Sequence, residues 1–398
     1  MIKYNIPFAK VECGGNELKY VRQVLASGWL TTASKAFELE QRFAEVVGAR
    51  YACAVNSGTS ALHLAAEAMG IKKGAKVFVP TMTFTATAEV LRYLDADPVF
   101  LDVDYGTCMI TPEILANAVR KHPEVRYLIV VHYGGQAAEM GSVGRLSRET
   151  SSSGILEICR KNGIKIIEDA AHAFPTTHCG RMIGSIGDAT CFSFYANKTI
   201  TTGEGGMLTT NDRKIADRAR VMRLHGIDRD IWKRFASKST KWEYDVVAPG
   251  YKYNMPDVNA AIGLAQLEKY KELHSGRMRC AEYYMRHLNG IEGIDLPVVT
   301  RHMEDHAWHL FAVKVNAHAK VDRNKMIDLL GLRGIGASVH YKPLHRMTYY
   351  KSRYSLKTHD FPVAEKIWKG TFSLPIYPGL TKQEMVHITG TIRNLLGR

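Results

Sequence analysis

From Tyr51 onward, short and unbroken apolar runs alternate with stretches of helical spacing. "YACAV" is followed by "ALHLAAEAMG", "KVFVP" by "TATAEVLRYL", and "PVFLDVD" by "TPEILANAVRK". "RYLIVV", "ILEICRKNG" and "IKIIEDA" continue the series. An apolar run without polar alternation reads as a strand covered on both faces, and helices between such strands force the strands to run parallel. The pattern therefore predicts an α/β layered fold with a largely parallel sheet. Within it, Thr111 is placed to cap a helix that has Pro112 at its first position.

A chain of 398 residues exceeds what one simple core holds, which predicts a large domain and a smaller one. A long helical pattern begins near Asp257, "VNAAIGLAQLEKYKEL", and the composition beyond it is richer in His, Tyr and Arg. The expected division is residues 1–256 for the large domain and 257–398 for the linking helix and small domain. Seven cysteines show no Cys-x-x-Cys pair, as expected of free thiols in a reducing cytoplasm. "MIKYNIPFAK" carries no apolar leader, and no apolar run approaches the ~18 residues of a membrane helix. Neither secretion nor membrane insertion is expected. His172, His178 and Cys179 match no familiar zinc spacing, so no metal is expected.

The net charge is +14, and Arg213–Lys241 holds ten Lys/Arg against three Asp/Glu. Such a stretch is either a solvated face or an attractor for a small polyanion such as a nucleotide diphosphate. Nucleic acid is not expected, because no helix-turn-helix, zinc-finger or RNA-recognition signature accompanies the charge. "GSVGRLSRETSSSG", Gly141–Gly154, is poor in apolar residues and reads as an exposed loop.

The chemistry gathers at predicted strand ends, where α/β sheets bind ligands. Glu168, Asp169 and His172 follow one strand, Asn56, Ser57, Gly58 and Thr59 another, and His132 and Gln136 a third. In "CFSFYANKTITTGEGGML", Ser193 and Lys198 follow a fourth, and three glycines come after them. An amine against apolar walls is partly neutral and can attack carbonyls. The commonest cofactor served by such a lysine is pyridoxal 5'-phosphate (PLP), which asks for a lysine at its aldehyde, an acid at its ring nitrogen and a phosphate cradle. Lys198 and Asp169 are the candidates for the first two. Gly58 and Thr59 open a helix after a strand, which favours a phosphate, and Ser193 adds a hydroxyl. Phe84, in "TMTFTAT", is a ring that can stack on the pyridine. Taken singly, Lys198 also reads as an ordinary strand-end lysine, Asp169 as a turn cap and "NSGTS" as a helix N-cap.

Longer stretches carry a resemblance. "EDAAHA", "GSIGDATCFSFYANKTITTGEGGMLTTND" and "PGYKYNMPDVNAAIGLAQL" resemble the DegT/StrS-type nucleotide-sugar aminotransferases of the PLP-dependent fold-type I superfamily. "GWLTTASKAFELEQRF", "VNSGTSALHLA", "HYGGQAAEM", "HAWHLFAVKV" and "GIGASVHYKPLH" extend the likeness over nearly the whole chain. The resemblance implies a homodimer with each active site at the subunit interface. It implies that Lys198 bonds the cofactor aldehyde, Asp169 keeps the ring nitrogen protonated, His172 contacts the ring hydroxyl, and Thr59 and Ser193 bind phosphate. "GYKYNM" would come from the partner subunit, with Lys252 or Asn254 reaching the phosphate.

By resemblance the substrates are L-glutamate and a nucleotide-linked keto sugar. The "APGYKYN" form is that of relatives acting at C4 of UDP-4-keto sugars, with dTDP- or GDP-linked sugars and C3 as alternatives. Lys198 argues against the dehydratase branch, in which His replaces the lysine. His340 is a candidate diphosphate contact. Two features depart from the family pattern: the insertion at Gly141–Gly154, and Pro175 where relatives are often smaller. A non-catalytic rival is a PLP-binding sensor. A desulfurase would need a reactive cysteine on a mobile loop, and none stands out.

Overall fold

The computed structural model describes residues 5–141, 154–228 and 244–397. The interior of the Gly141–Gly154 insertion and residues 229–241 of the basic stretch lie outside these residues.

Helices α1 (Glu17–Ser27) and α2 (Ser34–Val47) precede a seven-stranded sheet. Its strands are β1 (Tyr51–Val55), β2 (Lys76–Pro80), β3 (Asp97–Leu101), β4 (Tyr127–Val131), β5 (Lys165–Asp169), β8 (Ala189–Ser193) and β9 (Gly206–Thr210). They lie in the order β1-β9-β8-β5-β4-β2-β3. From β8 to β3 every pairing is parallel; β9 alone runs against both its neighbours, β1 and β8. The expected α/β fold with a mostly parallel sheet is present. A small two-stranded ribbon, β6 (Thr177–His178) with β7 (Arg181–Met182), sits between β5 and β8 in the chain.

Alternate residues of each strand feed opposite cores. Val77, Val79, Ile129 and Ile167 pack with α3 (Gly58–Ala68), α4 (Ala86–Tyr93) and α7 (Arg213–Met222). Phe78, Leu128, Val130 and Ile166 pack under α5 (Pro112–Lys121) and α6 (Ile155–Lys161). Thr111 caps α5 as expected, its hydroxyl accepting from the Ile114 N–H at 3.3 Å, with Pro112 in the first turn.

The single long helix expected from Asp257 is two, α8 (Asp257–Glu268) and α9 (Tyr270–Leu288), broken at Lys269. Leu264 and Leu267 of α8 share a core with Phe43, Phe174 and Phe192, so this helix is part of the large layer. Asp257 also caps α2 from a distance. Its carboxylate accepts from the N–H groups of Ala33, Lys35 and Ala36 at 2.7–3.0 Å. Local sequence supplies α2 no side-chain cap at Ala33, and the remote carboxylate satisfies those N–H groups instead.

A second, antiparallel sheet orders β10 (Ile294–Asp295), β11 (Phe311–Val315) and β12 (Thr371–Leu374). Its core joins Tyr284, Trp308, Phe311, Phe372 and Ile388, with α10 (Arg323–Gly331) and α13 (Lys382–Leu396) around it. Two shorter helices, α11 (Thr348–Arg353) and α12 (Pro362–Gly370), lie between α10 and β12 in the chain. Ile6, only 1% exposed, belongs to this second core. Its N–H donates to Gly334 O and its carbonyl accepts from Gly336 N, both at 2.8 Å.

Candidate active site

Strand β5 ends in two carboxylates, and the period of a strand sends them to opposite faces. Glu168 is fully buried and accepts from Gly187 N and Thr190 Oγ1 at 2.7 Å and from His132 Nε2 at 2.9 Å. His132 Nδ1 accepts from Ala138 N at 3.0 Å, so Nε2 carries the proton it gives to Glu168. Burial pushes the Glu168 carboxyl up, but its hydrogen bonds and His132 together hold it below the ordinary value. Glu168 is thus a satisfied structural anion.

Asp169, on the other face, is 6% exposed. Its oxygens accept from Thr87 Oγ1 at 2.8 Å and Ala171 N at 3.2 Å. The Ala171 bond is the turn cap that the bland reading allows. Among the described residues no cation lies within ion-pair distance of it. Burial raises its carboxyl, opposed by these hydrogen bonds and by Lys198. A buried carboxylate without a counter-ion is costly, so this one fits a site that receives a cationic group.

Lys198 sits in the turn after β8, its N–H donating to Tyr195 O at 3.0 Å. The loop from β8 to β9 is closed by Phe194 N to Gly205 O at 2.8 Å and Thr202 N to Phe194 O at 2.9 Å. Burial brings the ammonium down to about 8, Asp169 opposing and Arg277 reinforcing the shift. Roughly a tenth of the amine is then neutral at pH 7, against roughly three in ten thousand for an ordinary lysine.

Glycine is required where this loop meets α3. A Cβ on Gly206 would stand 2.4 Å from Ser57 O, and one on Gly58 would stand 2.9 Å from the Ser193 Cβ. Ser57 is the N-cap, its hydroxyl accepting from Ser60 N at 3.0 Å. Among the described residues neither Gly58 nor Thr59 donates its N–H to a protein group. The open first turn beside the Ser193 hydroxyl therefore has the donors a phosphate takes. With the uncompensated Asp169 and the partly neutral Lys198, the residues present fit PLP.

His172 is buried, and desolvation and the nearby Lys198 push its imidazole well below the ordinary range. Its Nδ1 accepts from Gly134 N at 3.3 Å, which leaves Nε2–H to donate to the Tyr341 hydroxyl at 2.9 Å. Its ring lies 4.4 Å from that of His309. Phe84 is 56% exposed, its ring 5.8 Å from Tyr341. His340 is pushed down to about 4 by burial and pairs its Nδ1 with Ser373 Oγ at 2.9 Å. It can offer a diphosphate only a neutral imidazole.

The "GYKYNM" segment runs beside the end of β1, where Asn56 N donates to Tyr253 O at 2.8 Å. Asn254 spends its amide on Thr32 Oγ1 at 2.8 Å, whereas the Lys252 side chain is exposed. Sequence reasoning missed four site neighbours: Thr87, Tyr341, His309 and Arg277. Thr87 had a readable signal, a hydroxyl on the buried face of α4. Tyr341 and His309 had none, since they meet His172 from far along the chain.

A model of the DegT/DnrJ/EryC1/StrS aminotransferase family matches residues 12–393. The spore coat polysaccharide biosynthesis protein SpsC of Bacillus subtilis is 40% identical over 394 residues, 98% of this chain and 97% of that protein. Spr1654 of Streptococcus pneumoniae, described as a sugar aminotransferase and solved with PLP and in its PMP form, is 31% identical with a TM-score of 0.85 over 98% of both chains. DesV of S. venezuelae is 27% identical with a TM-score of 0.86 over 100% of both chains. The chain belongs to the DegT/DnrJ/EryC1/StrS family of PLP-dependent aminotransferases.

Proposed function

We propose that this chain transfers the amino group of L-glutamate to a nucleotide-linked keto sugar, at C4 of a UDP-4-keto sugar, in making amino sugars for surface polysaccharide. The observation that carries the catalytic reading is the pairing of a partly neutral Lys198 with a buried, uncompensated Asp169 at adjacent strand ends. When bound, PLP accepts the amino group and its ring withdraws electrons from the donor's α-carbon. Lys198 is the general base that takes the α-proton and later returns one to the product carbon. Asp169 holds a proton at the ring nitrogen. His172 would contact the ring hydroxyl, and Phe84 would stack on the ring. Thr59, Ser193 and the N–H groups opening α3 hold the phosphate.

The sugar assignment is supported by the name of SpsC, by the "APGYKYN" form and by the net charge of +14, which suits a polyanionic substrate. The site works as a homodimer, with the partner's "GYKYNM" segment completing it, and the cytoplasm is where it acts. Of Lys252 and Asn254, Lys252 is the one left exposed to reach a phosphate. Borohydride treatment followed by mass spectrometry tests the lysine: an adduct on Lys198 is expected, and an adduct elsewhere or none overturns the reading. Glutamate with a panel of UDP-, dTDP- and GDP-linked keto sugars tests the substrate. Turnover confined to dTDP or GDP sugars, or to a 3-keto group, overturns the finer assignment, and no turnover with any sugar favours a sensor.

A further inference from the structure

Arg277 of α9 is 3% exposed. Its guanidinium makes no ion pair to any carboxylate among the described residues. It is held by carbonyls from three separate parts of the chain. Nη1 donates to Trp308 O at 3.3 Å, His309 O at 3.4 Å and Ile376 O at 2.9 Å, and Nη2 donates to Asn197 O at 3.4 Å. Nε has no partner, and nor does the buried Oδ1 of Asn197. Burying an unpaired cation is costly, and a core built for stability alone fills such a place with an apolar side chain. The Asn197 carbonyl that it grips belongs to the residue immediately before Lys198.

We propose that Arg277 is a positioning residue for Lys198: its guanidinium pins the Asn197–Lys198 turn to the edge of the second sheet and sets a fixed positive charge behind the amine. The geometry accounts for the choice of arginine. Only a planar fork with several donors reaches three segments at once, and only a permanent cation keeps its charge at that depth. Two consequences follow for the amine. The turn is held in one place against the second sheet, and the charged form of Lys198 is disfavoured. The other groups facing Lys198 are Asp169 at the end of β5, which favours the ammonium, and His172, His309 and His340, all pushed to the neutral side by burial. Cys280 and His274 face Arg277 from its own helix, and burial holds both uncharged. Arg277 is therefore the one permanent cation acting on the amine among these groups.

The inference rests on the reading of Lys198 as the reacting amine. Its test is pH-dependent competitive acetylation of Lys198, followed by mass spectrometry, in the full chain free of cofactor and again loaded with pyridoxamine 5'-phosphate. Arg277→Gln and Arg277→Met remove the charge, and Arg277→Lys removes the fork and, at that depth, the permanence of the charge. In either neutral variant the midpoint of Lys198 labelling is expected to move alkaline by at least about half a unit, roughly a threefold loss of free amine near neutrality. Arg277→Lys, whose amine burial discharges, is expected to move the midpoint the same way by no more than the neutral variants and to lower kcat more than it raises KM. A merely structural arginine would lower the melting point and leave the midpoint in place. If both neutral variants fold and label as the parent does, the proposal is overturned. If neither folds, an Arg277→Lys variant with parental kcat overturns it, and one with reduced kcat at parental KM sustains it. Labelling in the cofactor-free chain is independent of PLP, so its outcome is separate from the borohydride result that tests the lysine itself.

Discussion

Asp169→Asn exchanges one oxygen for an NH2 group and removes a buried charge. The fold can absorb the change. The introduced amide would keep accepting from Ala171 N through its oxygen, while its NH2 faces Thr87 Oγ1. That hydroxyl is 2.7 Å from Thr83 Oγ1, and either can be the donor, so the pair can reverse direction and accept the new proton. The cost to the cofactor-free chain should stay within about 1 kcal/mol. The sign of the charge effect points the other way. Burial holds Asp169 above its ordinary 3.8, so its contribution to folding is greatest below that value and is lost as pH rises through the raised one. An uncharged amide escapes that loss, and the cofactor-free variant should melt at or slightly above the parent at pH 7–8. Catalysis should fall steeply. A carboxylate and a protonated ring nitrogen at hydrogen-bond distance, ~3 Å, attract by about 5 kcal/mol at an effective dielectric of about 20. Expressed wholly in the transition state, that is about four powers of ten in rate. Rapid mixing of the PLP-loaded variant with glutamate, followed by absorbance, measures the half-reaction, and thermal melts with and without PLP measure the rest. A half-reaction within tenfold of the parent would refute the reasoning. A cofactor-free melting point lowered by more than about 5 °C would make Asp169 a structural group instead.

Three further outcomes are expected. Gly58→Ala places a Cβ 2.9 Å from that of Ser193, so Ser193 and the start of α3 must part, the apo melting point should fall and PLP affinity by fluorescence titration should drop at least about tenfold, ~1.4 kcal/mol; unchanged affinity removes α3 from the phosphate site. Lys198 is held down to about 8 from an ordinary 10.5, so its charged form weighs fully against folding below pH 8, and the apo chain should regain on the order of 2 kcal/mol as pH rises from about 8 toward 10.5, measured by denaturant melts. Lys198→Met should lack this rise and be the more stable chain at pH 7, and parallel profiles would disprove the buried amine. Inactive Lys198→Ala and inactive Lys252→Ala subunits, mixed under conditions of demonstrated exchange, should recover part of the activity; no recovery, or an active monomer, rules out a shared site.

The layered fold was readable because buried parallel strands are largely apolar runs, as the cores of β2, β3 and β4 are. The reversal of β9 was hidden, since it is buried along its whole length like a parallel strand and its direction depends on the preceding loop. Strand ends gave Asp169 and Lys198, the two groups whose chemistry is odd for their place. Gly58 and Ser193 were readable as polar and small residues at neighbouring strand ends, although their close approach belongs to the folded chain alone. Tyr341 reaches His172 across 169 residues, and Asp257 caps α2 from the far side of the large sheet's sequence, distances at which local pattern carries nothing. Arg277 was invisible for another reason. On a helix rich in Lys, Arg and Glu, nothing in the sequence separates the buried arginine from its solvated neighbours.

The strand pairing of Ile6 has a practical consequence for cutting the chain. A fragment starting at Asp257 would contain all of β10, β11 and β12, yet lack the residue that fills their core and hydrogen-bonds Gly334 and Gly336. It would expose that apolar floor, and the side of His340 on which Phe8 stacks at 5.3 Å would be bare. Such a fragment should be prone to aggregate when expressed alone, and adding a peptide spanning Asn5–Lys10 in trans should improve its solubility. Sequence order and folding unit therefore part company here: the second sheet is complete only when the start of the chain has come back to it.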